Sequence, residues 1–112
     1  MGSLYSVASS PSRRFNSRLT PEREVWVCWQ CNGREDVSRV RDLSLGGIFL
    51  ETKAHRAVGA STKIDFLVDE GQIRAEAIVR HIRPGNGLGL KFTALTDQDR
   101  PRLAALLRRL RH

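Results

Sequence analysis

The 112-residue sequence predicts a small all-β domain, a sandwich or barrel, followed by one helix. Three observations carry this. Short apolar, β-branched runs recur at strand length. Gly, Asn and Asp turn signals separate them. The last dozen residues switch to a leucine stripe of helical period. A chain this short has room for one core and therefore one domain.

The elements follow in order. Residues 1–12, MGSLYSVASSPS, are small and polar without a usable period, and are expected to form a disordered tail. The first strand is expected over Glu24–Trp29, where Val25, Trp26, Val27 and Trp29 dominate. Asn32-Gly33 signals a turn. A second strand over Val37–Asp42 alternates imperfectly, with Val37 and Arg39 on one face and Ser38 and Val40 on the other. After the loop Asp42-Leu43-Ser44-Leu45-Gly46-Gly47 comes the apolar strand Ile48–Leu50. Ile64–Val68, the turn Asp69-Glu70-Gly71 and Ile73–Val79 read as strand, solvated turn, strand. Pro84-Gly85-Asn86-Gly87 turns the chain into Leu88–Phe92. Leu103, Leu106, Leu107 and Leu110 then make one helical stripe, which packs on the β body or on another subunit, leaving a homodimer open. Thr96 or Asp97 is the expected cap, and Pro101 requires the helix to begin near it.

Charge is unevenly placed. The formal net charge is +7, from 19 Lys and Arg against 12 Asp and Glu. Arg13, Arg14 and Arg18 stand in an acid-free N-terminal segment, and Arg100, Arg102, Arg108, Arg109 and Arg111 in an acid-free C-terminal one. The middle of the chain is close to neutral. An anionic partner is therefore sought at the ends, although helix electrostatics account for much of the C-terminal cluster. No apolar run approaches a membrane span and the first twenty residues lack a secretory core. With two cysteines and no disulfide framework, a reducing cytoplasm is expected.

Chemical motifs are sparse. Cys28-Trp29-Gln30-Cys31 lacks the second ligand pair that zinc requires and the helix start of a redox motif, so the cysteines are expected to be structural, with no metal bound. Ser44 is outside any G-x-S-x-G turn, and no histidine has an acid partner in sequence. No catalytic residues are expected. Two features stand out in conjunction: Arg14-Phe15-Asn16-Ser17-Arg18, an R-x-x-x-R preceded by Arg13, and Asp42-Leu43-Ser44-Leu45-Gly46-Gly47, a D-x-S-x-x-G.

That pair of motifs, ahead of the first strand and between the second and third, resembles the PilZ domain family of bacterial cyclic di-GMP receptors. The resemblance spans about residues 13–111 and includes Gly87-Leu88-Gly89-Leu90-Lys91-Phe92. It implies a six-stranded antiparallel β-barrel of split-barrel type with a C-terminal α-helix and a flexible N-terminal arm. The domain would then run over 13–112, with the arm at 13–21, the barrel at 22–93 and the helix at 97–111. It implies a non-catalytic receptor without a cofactor, whose ligand is cyclic di-GMP. Arg14 and Arg18 would grip phosphates and guanines with planar guanidinium forks. Asp42 would accept from a guanine N1 and N2 edge, and Ser44 would touch the ligand or support the loop. Gly46 and Gly47 complete the expected ligand-binding set, Gly47 permitting close backbone approach or a positive φ. Arg13 implies an intercalated dimer of the ligand. No output domain is expected within the sequence, so the signal would pass to a downstream protein. Membrane and nucleic acid are not expected partners. The alternatives are a small β-barrel that binds DNA or RNA through terminal arginines, or a nucleotide-independent protein-interaction module.

Overall fold

A computed structural model describes residues 24–111. Six strands precede one helix: β1 (Trp26–Cys31), β2 (Arg34–Leu43), β3 (Gly47–Glu51), β4 (Ser61–Leu67), β5 (Ile73–Arg83), β6 (Gly87–Leu95) and α1 (Asp99–Leu110). They close into an antiparallel barrel in the order β1-β2-β3-β6-β5-β4, with β4 paired back to β1 from Trp26↔Leu67 to Cys31↔Thr62.

Period-two burial builds the interior. Val27, Trp29 and Cys31 point inward from β1, while Trp26 and Gln30 face out. Thr62, Ile64 and Phe66 do the same in β4, and Ile73, Ala75, Ala77 and Val79 in β5. Trp29 carries the one indole in this core, and its Nε1–H donates to the buried Ser38 Oγ at 2.9 Å. That bond explains the imperfect alternation of β2: Ser38 and Val40 are the inward pair, and Ser38 is there as the acceptor Trp29 needs.

Most strands run longer than their apolar runs. β1 extends through Cys31, so both cysteines lie inside it, free and on opposite faces, Cys31 buried and Cys28 half-buried. β2 begins at Arg34 directly after a tight turn in which Asn32 (φ 55°) and Gly33 (φ 78°) are both left-handed. β5 continues to Arg83 through a bulge between Val79 and His81. Most of these added residues are polar and are carried by backbone pairing with a neighbour, which hydropathy does not register.

The helix starts at Asp99, with Pro101 inside its first turn. Of the two expected caps, Thr96 is the one whose side chain bonds the helix start. Gln98 occupies the cap position without a side-chain bond, whereas Thr96 Oγ1 accepts from the Asp99 amide (3.0 Å) and donates to Asp99 Oδ2 (2.6 Å). Leu103, Leu106 and Leu107 enter the same core as the strands, and Leu110 packs at its margin.

The expectation of a solvated Asp69-Glu70 turn is corrected for Glu70. Its side chain is mostly buried and takes a two-point bond from Arg109, Nε to one oxygen and Nη2 to the other at 3.1 Å. Arg102 donates to the Gln72 carbonyl (2.9 Å) and Arg100 to that of Leu95 (3.3 Å). Three of the five C-terminal arginines thus tie α1 to the barrel. No helix among the described residues is long and apolar enough to cross a membrane.

Candidate ligand-binding site

The loop between β2 and β3 is folded around one hydroxyl. Buried Ser44 Oγ accepts from the amides of Gly46 and Gly47, both at 3.1 Å, and the Ser44 amide donates to the Gly47 carbonyl at 2.9 Å. The Gly46 carbonyl accepts from the Phe92 amide (2.9 Å), which fastens the loop to β6. Gly47 has an ordinary backbone angle. Its constraint is proximity, since a Cβ there would stand 2.5 Å from the Leu90 carbonyl oxygen. Gly46 is exposed, and a Cβ there would meet only Ser44 Oγ at 3.9 Å.

Just before the loop, β2 bulges between Val40 and Asp42. The extra residue is Arg41, which is exposed, and the bulge resets the phase so that Leu43 is buried and Asp42 half-buried. Asp42 pairs directly with Phe49 of β3. Ile48 and Leu50 fill the interior, so Phe49 belongs to the outer face, yet it is 2% exposed.

Glycines and cations explain that burial. A Cβ at Gly87 would lie 2.5 Å from the Phe49 ring, and one at Gly89 would lie 2.3 Å from His81. The two rings therefore occupy the space over bare backbone of β6, with centroids 6.0 Å apart and planes tilted by 33°. The guanidinium carbons of Arg41 and Arg83 sit 5.6 and 5.4 Å from the Phe49 centroid. At the far end of this face Arg39 holds Glu51 by two bonds of 3.0 and 2.9 Å. Those bonds lower the Glu51 carboxyl pKa and raise that of Arg39.

Beside the loop lies a cleft of ≈390 Å³ lined by Ser44, Gly46, Gly47, His81, Gly89 and Leu90, with Arg80 and Lys91 supplying cations. A broader groove of ≈670 Å³ lies where β1, β4 and β5 meet the start of α1, but there Glu35, Lys63, Asp65, Arg74 and Glu76 alternate in sign. The first suits an anion; the second has no consistent field. No His, Cys, Asp or Glu cluster among the described residues could hold a metal.

Of the residues singled out from sequence, Asp42, Ser44, Gly46 and Gly47 share one edge of the barrel. Arg13, Arg14 and Arg18 lie outside the described residues. Arg41, Phe49, Arg80, His81 and Lys91 gather by the loop without having been anticipated. Their only early signal was Gly87-Leu88-Gly89, two bare positions on one strand face.

This architecture is matched by a profile of the PilZ domain, which covers residues 12–109. The chain belongs to the PilZ domain family. Solved structures share its fold. The PilZ domain of YcgR from Escherichia coli, solved with c-di-GMP, superposes with a TM-score of 0.73 at 16% identity, covering 89% of this chain and 92% of that one. The PilZ domain of CeSA from a cellulose-synthesizing bacterium gives 0.68 at 19%, covering 86% and 99%. The Bacillus subtilis inhibitor of motility, MotI/DgrA, gives 0.70 at 23%, covering 88% of this PilZ chain but 52% of that protein, so the chain spans about half its length. No curated protein sequence matches the chain.

Proposed function

We propose that this PilZ domain is a non-catalytic receptor for cyclic di-GMP in the bacterial cytoplasm. The observation that carries the reading is the Asp42–Gly47 loop, closed on Ser44 and opening onto a cation-lined cleft. Family membership and the YcgR domain solved with this nucleotide support it.

The ligand presents two phosphodiesters and two guanines. Asp42 accepts hydrogen bonds from the N1 and N2 edge of one guanine, a donor pattern that adenine lacks. Ser44 holds the loop so that the backbone of Gly46 and Gly47 can approach the ligand closely. Arg14 and Arg18, on the segment leading into β1, add guanidinium forks that pair with phosphate or with guanine O6 and N7. Binding orders this arm, the segment over 13–21, against the 22–93 barrel, and the altered surface passes the signal to a downstream protein.

Calorimetric titration with cyclic di-GMP tests the reading. Binding by the wild type, selective over GMP and cyclic di-AMP, is expected, together with its loss in Arg14→Ala/Arg18→Ala. Undiminished binding in that double variant would reject the arm assignment. Arg13 is proposed to admit a second, stacked ligand. Arg13→Leu should then halve the stoichiometry, and an unchanged ratio rejects the intercalated dimer.

A further inference from the structure

The proposed site, drawn from its two motifs and the adjoining cleft, gives no role to Arg41, Phe49 and Arg83 on the outer face of the barrel. On that face two arginines are held in an unusual way. Arg41 is the bulge residue adjoining Asp42, and Arg83 lies two strands beyond Phe49, yet both guanidinium groups rest on the same ring. Among the described residues neither forms an ion pair. Glu51, the acid that Arg41 influences through space, is already occupied by Arg39.

A guanidinium over an aromatic face is attracted by the ring quadrupole without committing its N–H donors to an acceptor. Its charge is positioned while its donors remain available. The phenyl ring in turn is fixed, because it is 2% exposed and seated on Gly87. Ordering these side chains therefore costs little at the moment of binding. Asp42, Phe49, Gly89 and His81 stand in register across four neighbouring strands. At about 4.8 Å per strand spacing that row covers about 14 Å.

We propose that Arg41 and Arg83, held over Phe49, form a second and preorganised guanidinium pair that binds the phosphodiesters of the cyclic dinucleotide. This rests on the receptor reading above. It divides the work of the site: Asp42 reads guanine, and the Arg41–Arg83 pair supplies fixed counter-charge from the barrel. The competing account is that the two arginines only shield Phe49 from water.

Methionine separates the accounts, because it retains an apolar stem over the ring and removes the charge. In calorimetric titrations of the whole chain with cyclic di-GMP, Arg41→Met and Arg83→Met should each bind about tenfold more weakly, the scale of losing a charged hydrogen bond. They should melt with the wild type and show a shallower dependence of affinity on salt. Arg41→Gln and Arg83→Gln provide the same readout should a Met variant melt early. Wild-type affinity in the Arg41 and Arg83 variants, alongside lost binding in Arg14→Ala/Arg18→Ala, would overturn the preorganised pair and leave the receptor intact. A wild type that takes up no cyclic di-GMP would overturn both.

Discussion

A Cβ at Gly47 would stand 2.5 Å from a carbonyl oxygen of β6, whereas one at the adjoining Gly46 would be 3.9 Å from its nearest neighbour. Alanine at these two positions should therefore separate folding from binding. Gly47→Ala must push β3 from β6, and a loss of about 2 kcal/mol is expected in denaturant titrations. Gly46→Ala should stay within about 0.5 kcal/mol of the wild type by the same measurement. If Gly46→Ala nevertheless weakens cyclic di-GMP uptake, the added methyl must be meeting ligand. Ser44→Ala removes the acceptor of two amides and should cost about 1–2 kcal/mol, seen as a lower melting temperature. None of these distinctions is visible in the letters D-x-S-x-x-G. The motif names the residues, but which of them serve the barrel and which face outward depends on a strand more than forty residues away.

At the scale of elements, the helix is held by both oil and charge. Leu106 is fully buried in the common core, so Leu106→Ala should destabilise the fold by about 2–5 kcal/mol in chemical denaturation. The Glu70–Arg109 pair joins the β4–β5 turn to the last turn of α1. The hydrogen bonds from Arg109 lower the Glu70 pKa in the folded state, against the opposing effect of burial. A carboxyl depressed by folding contributes stability above its unfolded pKa of about 4.3, and that contribution fades as pH falls through the folded value. Glu70→Gln should thus be about 0.5–1 kcal/mol less stable than the wild type at neutral pH. The two melting curves should converge as pH drops below about 4, and a constant gap down to low pH would show that the charge is not responsible. Helix and leucine stripe were legible from spacing alone. The tether was not, because Glu70 precedes Arg109 by 39 residues and looks like any acid in a turn.

For the whole molecule, the defining event is closure. β1 and β4 pair from Trp26↔Leu67 onward, a contact between segments separated by two other strands in the chain. Non-local pairing of this kind imposes loop-closure entropy before it returns contacts, so folding in the millisecond-to-second range is expected. Stopped-flow fluorescence, with buried Trp29 as reporter, checks this; refolding within microseconds would mean that closure is not limiting. A closed barrel also has little freedom to change shape. Ligand-induced change in hydrogen exchange should then concentrate in the 42–47 loop and around 80–91, with the core amides of β1 and β4 unaltered.

Local chemistry was enough to establish the strand-rich body, the left-handed Asn32-Gly33 turn, the terminal leucine stripe and the candidate Asp-Ser-Gly loop, because each depends on neighbours within a few positions. The closed six-stranded barrel, which periodicity left open against a sandwich, was implied by the family resemblance and is the observed topology. The Arg41 bulge, the outward burial of Phe49 and the glycine-paved face were decided only in three dimensions. Each of those arises where strands distant in sequence meet side by side, and a period-two pattern states that a residue alternates without stating which strand it will face.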